Sequence, residues 1–245
     1  MGKIVAIGGG ELRKGETLPI DRMIVRLAEK PEPRLLFLPT ASYDAQGYID
    51  LVKSVYEGLG CRVEALCLTQ NASSREEICQ TLLASDIIYV GGGDTETMMR
   101  LWRERGVDKA LRKAYRQGVV LSGLSAGSIC WFLAGHSDSE FLSGAESPRC
   151  KWVQGLGLLP FLHCPHYNES PRREFDAFFA GQAVDAIALD NNAALVEIDG
   201  RYSIVRAEKD SGAYRLHWNG AAVEKTGLTV SEANTFSAAE AVLYP

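Results

Sequence analysis

Gly118-Val119-Val120-Leu121-Ser122-Gly123-Leu124-Ser125-Ala126-Gly127-Ser128-Ile129 passes from a short β-branched segment into two glycines that bracket a serine, and then into a second apolar run. A buried strand over Gly118–Leu121, a sharp turn at Ser125 and a helical run over Ser128–Ala134 are the reading this pattern predicts. Small residues two before and two after the serine let the chain reverse without Cβ clashes, which leaves the hydroxyl exposed at the tip.

The stretch upstream repeats the same grammar. Apolar segments at Lys3–Gly8, Arg34–Pro39, Cys61–Leu68 and Asp86–Val90 alternate with helical patterns at Pro19–Lys30, Ala45–Leu59, Ser73–Ala84, Glu96–Arg105 and Val107–Gln117. Ser74 is placed to cap the third of these helices, with Ser73 competing. Strands that are apolar on both sides, alternating with helices of about 10–15 residues, predict a mostly parallel sheet covered on both faces. Past Ala194 the pattern shortens to Ala194–Ile198, Arg201–Arg206 and Ala213–Trp218, separated by Asp199-Gly200, Ser211-Gly212 and Asn219-Gly220, which predicts C-terminal antiparallel hairpins. No linker, low-complexity run or fixed-period repeat interrupts the chain, so residues 1–245 read as a single α/β domain.

Composition narrows the class. The chain is 46% hydrophobic and 23% charged with a net charge of −5, the profile of a soluble globular protein without a broad basic face. Nucleic acid and anionic membrane are therefore not expected partners. The opening Met1–Gly8 run is too short for a signal-peptide core, and no stretch is long enough to span a bilayer. The six cysteines include no Cys-x-x-Cys pair and read as reduced thiols in a cytoplasmic protein. Asn71-Ala72-Ser73 is then a chance glycosylation sequon.

The chemistry centres on Ser125. It reads as a nucleophile on an elbow, against the plainer alternative of a helix-capping serine. A serine nucleophile needs a base, and the chain has four histidines. His166 follows the apolar segment 161–164 and Pro165, just beyond a strand end, where open α/β sheets build their sites. His163 lies within that segment and reads as a structural residue; His136 and His217 fall farther from the elbow. Asp190, at the end of the strand Ala183–Leu189, is the candidate acid, with Asp138 and Glu140 competing. Gly91-Gly92-Gly93-Asp94-Thr95 follows a buried strand and opens a helix, so its free amides could hold an anion. Neither this triplet nor Gly8-Gly9-Gly10 completes a dinucleotide fingerprint, and no zinc-ligand spacing occurs, so a cofactor-free hydrolase is the economical reading.

Gly91-Gly92-Gly93-Asp94-Thr95, Gly123-Leu124-Ser125-Ala126-Gly127 and Cys164-Pro165-His166-Tyr167, in that order, resemble the S51 peptidases, which include dipeptidase E and the cyanophycinases. The resemblance covers roughly residues 3–198 and implies a flavodoxin-like sheet similar to class I glutamine amidotransferases, with serine in place of cysteine at the elbow. The nearest cysteine, Cys130, lies inside the following run, which disfavours an amidotransferase. The resemblance implies a cofactor-free serine peptidase with Ser125 as nucleophile, His166 as base, and Gly92, Gly93 and Ala126 around the oxyanion. The dipeptidase pattern Leu-Pro-Glu-Gly falls on Leu189-Asp190-Asn191-Asn192, so gapless matching puts the family's glutamate on Asn191, one residue after Asp190. The family's substrate-side arginine matches Arg173, with Arg172 beside it. The expected partner is a short peptide with a free N-terminus, with selectivity for an acidic first residue; the assembly expected is a monomer or homodimer. A catalytically inactive S51-like protein binding a metabolite or partner is the alternative.

Overall fold

The computed structural model describes residues 2–70, 73–142, 145–172, 174–229 and 236–237. Its strands are β1 (Lys3–Ile7), β2 (Arg34–Leu38), β3 (Arg62–Ala65), β4 (Ile87–Val90), β5 (Val120–Leu124), β6 (Phe132–Ser137), β7 (Lys151–Gln154), β8 (Leu159–Cys164), β9 (Ala186–Leu189), β10 (Ala193–Ile198), β11 (Arg201–Arg206), β12 (Ala213–Trp218), β13 (Val223–Gly227) and β14 (Phe236–Ser237). The helices are α1 (Leu18–Leu27), α2 (Gln46–Gly58), α3 (Arg75–Leu83), α4 (Thr95–Arg105), α5 (Val107–Arg116), α6 (Ala126–Ile129), α7 (Ser139–Leu142) and α8 (Phe175–Phe179).

Among the described residues the first sheet runs β14-β11-β10-β1-β5-β4-β2-β3. β1, β5, β4, β2 and β3 are parallel to one another; β10 pairs antiparallel with β1, and β11 antiparallel with β10. Alternate residues of β1 enter opposite layers. Ile4 and Ala6 pack with Met98, Trp102 and Leu111 of α4 and α5, while Val5 and Ile7 pack with Ile24 and Tyr56 of α1 and α2. Burial on both faces is why these strands read as continuous apolar runs. α3 starts where the sequence places it. The Glu77 amide donates to Ser74 Oγ at 3.2 Å and the Ser74 amide to Glu77 Oε2 at 2.7 Å, a reciprocal capping box.

The second half departs from the sequence reading. A separate sheet, β13-β12-β9-β8-β6-β7, forms where one sheet with appended hairpins was expected. Phe132, Leu159, Phe161, Ile187 and Leu189 face the α4–α5 core, and the outer face packs under Phe175 and Phe179 of α8. The two C-terminal hairpins are divided accordingly: β10–β11 joins the first sheet and β12–β13 the second. The expected helix over Ser128–Ala134 is also corrected. Only the single turn of α6 forms, and Phe132–Ser137 becomes β6, paired with β8 and β7. An unbroken apolar run fits a buried strand as well as a helix, and here the neighbouring strands decide. The described cysteines are all free thiols, and among the described residues no helix is long and apolar enough to cross a membrane. Asn71 and Ala72 of the sequon lie outside the described residues.

Candidate active site

The end of β1 is the spine of the site. The Ser125 amide donates to Ile7 O at 3.1 Å, and the His166 amide donates to Gly8 O at 3.0 Å. Consecutive carbonyls at and just past the end of β1 thus tie together two residues that lie on different sheets' strand ends. Both residues hold left-handed backbone, Ser125 with φ 58° and ψ −115° and His166 with φ 52°. Such conformations cost about 1–3 kcal/mol each and persist where the surroundings enforce them. At Ser125 the enforcement is close approach: a Cβ on Gly127 would lie 2.1 Å from Val90 O, so the turn seats directly on the end of β4.

Ser125 is half-buried at the start of α6, and its hydroxyl makes no hydrogen bond among the described residues. Past it, the Ser128 and Ile129 amides donate back to Ser125 O, while the Ala126 amide has no acceptor among the described residues. Gly92 lies alongside; a Cβ placed there would be 3.3 Å from Ser125 Cβ. The Gly92 amide is already used, donating to Tyr48 Oη at 3.3 Å, whereas the Gly93 amide is free among the described residues.

The His166 ring has a defined proton. Its Nδ1 lies 2.7 Å from Asn191 Oδ1 and 3.1 Å from Glu169 Oε1. Asn191 Nδ2 donates to that same Glu169 oxygen at 2.9 Å, which fixes the amide with its oxygen toward the ring. Both of the ring's neighbours are therefore acceptors, so Nδ1 carries the hydrogen and Nε2 keeps its lone pair. Gly9 makes room for this arrangement: a Cβ there would lie 2.0 Å from Asn191 Oδ1 and 2.3 Å from His166 Nδ1.

A side chain other than Asp190 meets the imidazole. The Asp190 side chain faces away from the imidazole, its Oδ2 accepting from the Gly212 amide at 2.7 Å, and burial raises its pKa. Successive side chains of an extended chain leave on opposite sides, so the end of β9 sends Asp190 toward β12 and Asn191 to the ring. Of the competing acids, Asp138 is paired with Arg172 at 2.9 Å and Glu140 with Lys151 at 3.3 Å. Glu169, which sequence reasoning missed, is the carboxylate at the imidazole. Its signal was the i+3 spacing from His166, which the left-handed turn at His166 converts into contact.

Arg172 also departs from expectation. It is 2% exposed, with Nη2 on Asp138 and Nη1 donating to His136 O at 2.6 Å. A guanidinium that is itself buried and committed to Asp138 and a carbonyl is not presented to a substrate carboxylate. Arg173 lies outside the described residues.

His163 sits where the sequence placed it, fully buried in β8. Its Nε2 is 2.9 Å from Ser128 Oγ, its Nδ1 2.8 Å from Ile187 O, and its ring stacks on Phe132 at 4.1 Å. Burial pushes its pKa from 6.5 down to about 3. Below pH 6.5 the unfolded chain binds a proton that folded His163 refuses, so this contribution to stability is complete above that pH and is lost as the pH falls toward 3. His163→Asn should consequently flatten the pH dependence of unfolding free energy between pH 6 and 4 by about 1.4 kcal/mol per pH unit. Urea melts of both proteins across that window measure it; parallel curves would refute the assignment.

The fold and this site define a class, an α/β protein with a strained serine elbow beside a histidine of fixed tautomer. The chain belongs to peptidase family S51, whose sequence profile matches residues 4–205. It is similar to the uncharacterized peptidase YgaJ of Bacillus subtilis, 36% identical over 88% of this chain and 92% of that one. It is also similar to peptidase E of Streptomyces coelicolor, 24% identical over 74% of each. Two solved structures share the fold. A peptidase from an acI-B1 actinobacterium has a TM-score of 0.72 at 17% identity over 97% of both chains. A Listeria monocytogenes protein described as a putative peptidase E has a TM-score of 0.60 at 20% identity, over 94% of this chain and all of that one.

Proposed function

We propose that this S51 peptidase is a cofactor-free serine hydrolase of short peptides with a free N-terminus. The observation that carries the reading is the joint anchoring of Ser125 and His166 to Ile7 O and Gly8 O, with His166 Nδ1 held by acceptors. Ser125 Oγ attacks the scissile carbonyl as His166 Nε2 takes its proton, and the imidazolium then returns the proton to the leaving amine. Glu169 and Asn191 stabilise the imidazolium, in the role the sequence assigned to Asp190. The Gly93 and Ala126 amides, free among the described residues, face the developing oxyanion. A phosphonofluoridate reagent tests the reading: one equivalent of label on Ser125, with parallel loss of dipeptide hydrolysis, is expected. A folded protein that stays unlabelled at high reagent concentration would refute the enzyme and favour a binding role.

Selectivity for an acidic first residue loses Arg172 as its support and rests on Arg173. A dipeptide library assayed against wild type and Arg173→Ala decides it: equal cleavage of acidic and neutral first residues by both would rule it out. The redirected acid gives a sharper contrast. Glu169→Gln keeps the bulk but removes the charge facing the imidazolium, and should lower kcat by about 10- to 100-fold. Asp190→Asn leaves the imidazole's neighbours in place and should change kcat by less than about threefold. The reverse ranking would return the acid to Asp190.

A further inference from the structure

Gly92 is in contact with two side chains that no sequence motif links. On one side it abuts Ser125, and on the other its amide donates to Tyr48 Oη at 3.3 Å. Tyr48 comes from the first turn of α2, far from either glycine motif. Its ring is fixed by an edge-on contact with Phe37, centroids 5.2 Å apart, and it packs so tightly over Gly91 that a Cβ there would lie 2.8 Å from the ring. The phenol accepts one hydrogen bond, and its own hydrogen has no acceptor among the described residues. Tyr48 also lines a cavity of about 330 Å³ with Gly10, Glu11, Leu51 and Leu124, the last being the residue before Ser125. Tyr48 thus has an unused O–H donor at the residue that abuts Ser125, and Tyr48 borders open space beside Leu124.

We propose that the Tyr48 hydroxyl is an oxyanion donor, taking a hydrogen bond from the Gly92 amide and giving its own hydrogen to the negative charge that develops when Ser125 attacks. This rests on the serine-hydrolase reading above. It accounts for Gly92: the glycine expected to face the oxyanion acts through the phenol. Accepting from an amide polarises the phenol and strengthens it as a donor. Burial raises the Tyr48 pKa to about 12, so the hydroxyl keeps its hydrogen at neutral pH. Tyr48 is then a catalytic residue, and its hydrogen bond strengthens as charge builds on the substrate oxygen, which places its effect on kcat and leaves KM alone.

The test uses the full chain and the rate at which a phosphonofluoridate labels Ser125. In that reaction the Ser125 O–P bond forms, the P–F bond breaks and fluoride leaves, His166 takes the serine proton, and the phosphoryl oxygen occupies the oxyanion position. Tyr48→Phe keeps the ring and removes the donor, and should slow labelling and kcat by about 10²-fold with KM nearly unchanged. Replacing Tyr48 with 3,5-difluorotyrosine, assayed well below its pKa, separates donation from mere anchoring of Gly92. A more acidic phenol donates better and accepts worse, so labelling as fast as wild type or faster is expected, and slower labelling would overturn the donor role. Equal rates for wild type and Tyr48→Phe would overturn the proposal while leaving the hydrolase reading intact. A wild type that does not label would overturn both. Melting curves of each variant confirm that rates are compared between folded proteins.

Discussion

Ser125→Ala is expected to abolish peptide hydrolysis, lowering kcat by at least about 10³-fold, with the melting temperature within about 2 °C of wild type. The hydroxyl makes no hydrogen bond among the described residues, so its removal leaves no buried partner unsatisfied. Alanine meets the same φ of 58° as serine, so the strain of the elbow is unchanged. The amide that ties the turn to Ile7 O is backbone and survives the substitution. What disappears is the atom that, in the proposed mechanism, bonds to the acyl carbon. A folded variant that turns over dipeptides near the wild-type rate would remove the nucleophile assignment.

His166→Ala should cost a similar factor, about 10³-fold or more, because without a base the serine is a weak nucleophile at neutral pH. Two controls make the result specific. Added imidazole should restore part of the rate, since Asn191 and Glu169 remain as acceptors around the vacated space. His163→Asn should lower the melting temperature, because it breaks the bonds to Ser128 and Ile187, and should leave kcat within about tenfold. Full activity without His166, and loss on changing His163, would exchange the two roles.

The difference in legibility between these residues has a physical basis. β1, β2, β4 and β5 are buried on both faces, so each writes its position as a local apolar run. The Ser125 turn is equally local, because small residues must stand where backbone meets backbone. The run after Ser125 was not legible, since an unbroken apolar sequence carries no period to separate helix from strand, and pairing with β8 made Phe132–Ser137 a strand. Asp190 and Asn191 are adjacent, and only the direction in which the chain leaves β9 decides which one meets the imidazole. Arg172 reads by type as a cation open to a substrate carboxylate; the structure buries it with its guanidinium on Asp138 and His136 O.

The sequence by itself determined the alternation of strands and helices, the serine elbow, the glycine loop beside it and the histidine beyond a strand end. Each depends on residues within about a dozen positions of one another, where steric fit and hydrophobic period act directly. Tertiary structure alone decided that there are two sheets, that Glu169 and Asn191 meet His166, and that Tyr48 meets Gly92. Those contacts join segments distant along the chain, and their geometry is set by how whole layers pack: a burial pattern shows that a residue is covered but not by what.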